Sequence, residues 1–179
     1  GSASGIVPSS FRVLRQLLSR LEDENSGKVI LDDLIVNIPK RRIEDLETMV
    51  DALGGELDQF PWYESMNSTT DDPVKGTLRQ TWEPALSVVG MNGVPAVQDG
   101  GNVLRPYTEV KLSMRIPPTL DKEIAVKAMQ KALSENPPYD SSVRVEFDEP
   151  ATGWNAPDLD PWLDSAIQEA SHAYFKKPA

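Results

Sequence analysis

Cysteine is absent from this chain of 179 residues, and histidine occurs once, at His172. Without cysteine there is no disulfide scaffold, no thiolate metal site and no cysteine nucleophile. The compartment stays open, because a cysteine-free chain suits cytosol and periplasm alike. One histidine makes an autonomous zinc site unexpected, since such sites gather several His, Cys or carboxylate ligands. Basic charge is also scarce. Eighteen Lys and Arg stand against 28 Asp and Glu, for a net charge of −10. Nucleic acid is therefore not an expected partner, because phosphate binding needs a basic surface. An anionic membrane surface would repel the chain in the same way. No run of about 18 apolar residues occurs, so no transmembrane helix is expected. Phosphate loops, dinucleotide fingerprints and the Gly-x-Ser-x-Gly elbow of serine hydrolases are missing as well.

What is present reads as a globular domain, with 39% hydrophobic and 26% charged residues. Pro8-Ser9-Ser10 opens a helix, with Ser9 or Ser10 as the cap and Phe11, Leu14, Leu17, Leu18 and Leu21 as one apolar stripe. Asn25-Ser26-Gly27 is expected to stop it. Residues 28–80 read as an insertion. It holds a short strand at Val29–Leu31 and a helix carrying Ile43, Leu46, Val50 and Leu53, which Gly54-Gly55 ends. The rest of it, 56–80, is polar and turn-rich, anchored by Phe60, Trp62 and Tyr63.

The region 81–118 is the most informative. Ala85–Val89 predicts a strand, and Gly90–Gly101 a loop with four glycines and one proline. A second strand follows over Val110–Ile116. There Val110, Leu112, Met114 and Ile116 alternate with Lys111, Ser113 and Arg115, so the arginine must project from the face opposite the apolar one. Thr119 caps an expected helix over about 120–134, packed through Ile124, Ala125, Ala128, Met129 and Ala132. Val143, Val145 and Phe147 alternate with Arg144, Glu146 and Asp148, predicting a third strand. Asp160-Pro161 opens a last helix, 160–176.

Without the insertion, the order is helix, strand, strand, helix, strand. One more strand ahead of residue 1 would complete β-α-β-β-α-β, an α+β ferredoxin-like sandwich with an antiparallel sheet and helices on one face. The expectation is therefore of a chain whose first strand is cut away.

Two side chains stand out chemically. Arg115 offers a planar fork of donors to a carboxylate. Asn102, thirteen positions earlier, follows Asp99-Gly100-Gly101, where backbone can approach a ligand closely. The pair suits capture of a carboxylate or stabilisation of an oxyanion. Each also has a plainer reading, a surface ion pair for Arg115 and a turn residue for Asn102. Neither supplies a nucleophile or a base. The acidic pairs Asp32-Asp33, Asp71-Asp72 and Asp148-Glu149 lack metal-loop spacing and read as solvated surface. His172 reads as a helix-surface histidine.

The motifs Ser4–Arg12 (SGIVPSSFR), Thr81–Pro84 (TWEP), Gly100–Pro106 (GGNVLRP) and Lys111–Pro117 (KLSMRIP) resemble the lid, or dimerisation, domain of the M20 metallopeptidases, most closely the carnosinase-like dipeptidase branch. The resemblance implies a lid inserted into a separate catalytic domain that holds a two-metal zinc site and a glutamate base. It implies that Arg115 and Asn102 hold the substrate carboxylate and the reacting carbonyl. It also implies that the partners are the parent's catalytic domain, a second lid in a homodimer, and a peptide or dipeptide. No residue of this chain would be catalytic or bind metal. A histidine of the family's His-Ser-Gly motif would fall just ahead of Gly1, so the chain reads as a lid excised after that motif. Residues 1–158 would form the lid, and 159–179 a helix re-entering the catalytic domain. The alternative is a stand-alone ferredoxin-like module that binds a small molecule and uses Arg115 as an anion hook.

Overall fold

The computed structural model describes residues 2–179, apart from the side chains of Glu56 and Asp58. In chain order the elements are α1 (Ser10–Leu18), β1 (Glu22–Asp23), β2 (Lys28–Val29), α2 (Lys40–Leu53), α3 (Pro73–Thr81), β3 (Ala85–Asn92), β4 (Glu109–Arg115), α4 (Lys122–Ser134) and α5 (Pro161–Phe175). Two antiparallel pairs, β1–β2 and β3–β4, make the fold α+β. The chain divides into two units. One comprises Gly1–Val36 with Trp82–Gly153, the other Asn37–Thr81 with Trp154–Ala179.

The first unit carries the core. Val13, Leu17, Leu21, Val29 and Leu34 meet Leu120, Ala125, Ala128, Met129 and Leu133. Leu86, Leu112, Met114 and Ile116 pack on this cluster from the β3–β4 hairpin. Helix α1 begins where expected, with the Ser9 hydroxyl accepting from the Arg12 amide at 3.2 Å. Its buried stripe is rotated from the expected one. Val13 and Leu17 point inward, and Phe11 is 46% exposed. The helix also ends sooner, at Leu18. Leu21 reaches zero exposure through a tight turn in which its amide bonds the Leu18 carbonyl. Asn25–Gly27 then serves as the turn of the small β1–β2 hairpin. There Asp23 Oδ1 accepts from the Ser26 amide and hydroxyl, both at 2.7 Å.

Strand β3 runs three residues beyond its expected end, through Asn92, because a bulge between Val88 and Gly90 lets the strand shift register and keep pairing. Helix α4 is capped by Asp121, not Thr119, with its Oδ1 accepting from the Glu123 amide at 2.7 Å. Ile124 is 48% exposed, and Leu133 takes an inward place instead.

The third strand does not form. Residues 142–148 are extended and keep their alternation, with Val143 and Val145 packed on the core and Arg144 and Glu146 exposed. Among the described residues, however, no backbone hydrogen bond joins them to a neighbour. Alternating burial puts a segment on a sheet-like surface, but only a partner strand makes a ladder.

The second unit is helical. Helix α3, which the sequence reading passed over as turn, is capped by Asp72, whose Oδ1 accepts from the Val74 and Lys75 amides at 3.0 and 3.1 Å. Pro39 stands one position before α2, and Gly54 ends that helix. Phe60 and Trp62 pack edge to face at 5.9 Å, and Trp62 Nε1 donates to the Leu57 carbonyl. Arg42 Nη2 donates to the Ala156 carbonyl at 2.8 Å, and Arg41 and Arg42 both pair with Asp158. Helix α5 starts with Pro161 in its first turn. It buries no residue, and Trp162, Tyr174 and Phe175 are at least 70% exposed.

Candidate functional site

Arg115 is the last residue of β4 and stands opposite Ala85. The alternation of the strand is realised as expected. Leu112 and Met114 are half-buried, and Lys111, Ser113 and Arg115 are exposed on the other face. Small residues surround the arginine on that face, with Ala85 opposite and Ser113 paired with Ser87 next along the strands. Lys111 on the same face is engaged with Asp148 at 3.4 Å. Among the described residues Arg115 has no ion-pair or side-chain hydrogen-bond partner, so its fork is available to a ligand.

Asn102 lies in the loop joining β3 to β4. A short 3₁₀ turn, Val97–Asp99, precedes it, and the Val103 amide bonds the Gly101 carbonyl at 2.8 Å, a three-residue turn centred on Asn102. The loop is pinched at its neck, where Gly93 lies against Tyr107 and Asn92 Nδ2 donates to Glu109 Oε2 at 3.1 Å. Ser10 of α1 bonds Thr108 at the same neck.

Arg115 and the loop that carries Asn102 are attached at opposite ends of the hairpin. The loop departs at the Asn92–Glu109 end. Arg115 stands six residues further along β4, about 20 Å at the usual strand rise. No hydrogen bond joins the two side chains among the described residues. His172 is exposed on α5, in the other unit.

Around Asn102 the loop exposes apolar side chains that the sequence reading did not single out. Val97 is 96% exposed and Val103 68%, with Leu104 and Tyr107 also open. The signal was present as valines and a leucine scattered among glycines, without the periodicity that marks a buried face. Such a cluster on a surface loop is of the kind another chain covers.

A metal is the other ingredient that the sequence resemblance implies. Among the described residues, no group of three or more His, Cys, Asp or Glu is gathered that could hold an ion. Among the described residues, no helix is long and apolar enough to cross a membrane.

A family model described as the peptidase dimerisation domain of the M20 group matches residues 1–141. The chain belongs to that family. Among solved structures, human carnosine dipeptidase 1 is similar at TM-score 0.68 and 19% identity, with 99% of this chain covering 38% of that one. The dipeptidase Dug1p of Saccharomyces cerevisiae is similar at 0.63 and 23%, covering 99% and 37%. The M20 metallo-carboxypeptidase Sso-CP2 of Sulfolobus solfataricus is similar at 0.59 and 18%, covering 99% and 45%. At these identities the likeness is one of fold. The chain spans well under half the length of each of these proteins. A search of curated protein sequences gave no match.

Proposed function

We propose that this chain is the substrate-gripping and dimerising part of an M20-type dipeptidase, with the zinc centre and general base in a separate catalytic domain. The observation that carries this reading is Arg115, an exposed guanidinium at the end of a paired strand with small neighbours and no partner among the described residues. A fork held in that way suits the C-terminal carboxylate of a short peptide, which it would bind through two parallel hydrogen bonds. Holding the carboxylate fixes where the scissile amide lies, and orientation of that kind is a large part of catalysis. Asn102 serves a different atom, the reacting carbonyl, since its loop lies at the other end of the hairpin. A substrate reaching both from one lid would have to span the strand, whereas two lids paired about a two-fold axis bring the ends of different subunits together. The exposed apolar loop at Val97, Val103 and Leu104 and the uncovered aromatic residues of α5 suit burial against a second lid and a catalytic domain.

The test is kinetic. In the complete hydrolase, Arg115→Ala should lower kcat/KM for a free dipeptide at least tenfold, about 1.4 kcal/mol of transition-state binding. The same change should leave hydrolysis of a C-terminally amidated dipeptide unaffected, because that substrate offers no carboxylate. Equal losses on both substrates, or none on either, would remove Arg115 from the grip. The isolated 179-residue chain should cleave neither.

A further inference from the structure

Asn92-Gly93 is the single Asn-Gly step in the chain, and every other asparagine precedes a residue larger than glycine. It stands where β3 ends and the loop toward Asn102 begins. Shape requires the glycine. Gly93 holds φ at +81°, and a Cβ on it would fall 2.5 Å from the Tyr107 carbonyl oxygen. Asn92 is exposed and is the register partner of Glu109, and its Nδ2 donates to Glu109 Oε2 at 3.1 Å. The Gly93 amide makes no turn or loop hydrogen bond among the described residues. The fold therefore sets an exposed side-chain amide beside a backbone nitrogen that no Cβ hinders. An attacking atom in the same chain needs no encounter, which is the large advantage of an intramolecular reaction.

We propose that Asn92-Gly93 is a self-modifying site, which deamidates through a cyclic imide and so loosens the neck of the β3–β4 loop. The Gly93 nitrogen attacks Asn92 Cγ. A Cγ–N bond forms, the Cγ–Nδ2 bond breaks, and Nδ2 leaves as ammonia with the proton that the Gly93 nitrogen gives up. Water then opens the imide at either carbonyl, leaving aspartate or isoaspartate, and is the one co-reactant. The product puts a carboxylate where the donor to Glu109 stood. Like charges directly opposite each other on paired strands are destabilising. Lys111, the next cation along that face of β4, is engaged with Asp148 at 3.4 Å and does not neutralise the new pair. The isoaspartate form also adds a carbon to the main chain at the last rung of the ladder. The neck is then left with the Ser10–Thr108 hydrogen bond alone as a side-chain tie.

The folded chain is aged at mildly alkaline pH and followed by tandem mass spectrometry. Asn92 should convert at least tenfold faster than any other asparagine, with isoaspartate among the products. The proposal is overturned if Asn92 stays amidated or if another asparagine keeps pace with it. Asn92→Asp reads the consequence without ageing. Amide hydrogen exchange across 93–108 should quicken at least tenfold in that variant, with α4 unchanged. Asn92→Asp combined with Glu109→Gln swaps donor and acceptor between the strands and should return exchange to the wild-type rate, which a merely structural loss at position 92 would not do. Unaltered exchange in the single variant, or no recovery in the double, would overturn the link between the modification and the loop.

Discussion

Ser10 Oγ and Thr108 Oγ1 lie 2.7 Å apart across 98 positions of sequence, and this one hydrogen bond ties the start of α1 to the neck of the loop that carries Asn102. Both residues are half-buried, so either hydroxyl left alone keeps an unmet demand that water only partly satisfies. Ser10→Ala and Thr108→Val should each destabilise the chain by about 0.5–1.5 kcal/mol. The double variant should cost less than the sum of the two, because the second change removes a group already orphaned by the first. Urea unfolding of the four proteins measures this. Strict additivity would mean that the two hydroxyls are not coupled in solution.

Arg20 provides a second long tether. Its Nη1 donates to the Ala132 and Glu135 carbonyls at 3.0 and 2.8 Å, and its Nη2 to the Asn136 carbonyl at 2.6 Å. These are carbonyls at and just past the end of α4, where a helix leaves acceptors unsatisfied and favours a cation. Arg20→Met should cost about 1.5–3 kcal/mol, the range for hydrogen bonds to a charged group. Arg20→Lys should recover only part of that, because an ammonium cannot reproduce the planar fork. Thermal melts of the two variants decide the point, and an Arg20→Lys variant that melted with the wild type would contradict it.

Two aspartates are held in their charged form by local hydrogen bonds and contribute to stability on the acid side. The Lys75 amide, together with the Lys75 ammonium and the Val74 amide, holds Asp72 below the ordinary carboxylate range. The Ser26 hydroxyl and amide do the same for Asp23. A group whose folded pKa is depressed contributes stability above its unfolded pKa and loses it as pH falls through the folded one. The α3 cap and the β1–β2 turn should therefore hold at neutral pH and weaken only below about pH 4, where aspartate ordinarily titrates. Carbon-detected NMR titration should place both midpoints below that of aspartate in an unfolded peptide. Midpoints at or above that value would refute the cap and turn geometry.

The parts legible in the sequence are those with a local cause. Strict alternation over 110–116 gave the orientation of Arg115, because a side-chain period of two has a single structural reading. Ser9 as a cap and Gly54 as a stop were readable for the same reason. What was missed had a local signal that went unread or a cause lying far off in sequence. Asp72-Pro73 carries the same start signature as Asp160-Pro161, but the polar and irregular stretch before it masks the start of α3. The ladder expected at 143–147 depends on a partner strand, which no local pattern reports. The distance between Asn102 and Arg115 depends on which end of a hairpin each occupies. Thirteen positions of spacing suggested a pair, but the loop between them begins at the far end of β4.

Gly93 is where the candidate loop is most sensitive to substitution. Its φ is +81°, in the left-handed region, and a Cβ placed there would lie 2.5 Å from the Tyr107 carbonyl oxygen. Backbone on both sides sets that contact, so no side-chain rotation relieves it. Gly93→Ala therefore adds a steric clash to a conformation that already costs a non-glycine residue about 1–2 kcal/mol. The expected result is a loss of about 1–3 kcal/mol in global stability, together with faster hydrogen exchange in 93–108 than in α4. In the complete hydrolase the change should also lower kcat/KM through Asn102 while leaving the preference for a free carboxylate intact, since Arg115 sits at the other end of the strand. If Gly93→Ala abolished that preference, the two ends of the hairpin would be acting as one site, and the division of labour proposed for Asn102 and Arg115 would be wrong.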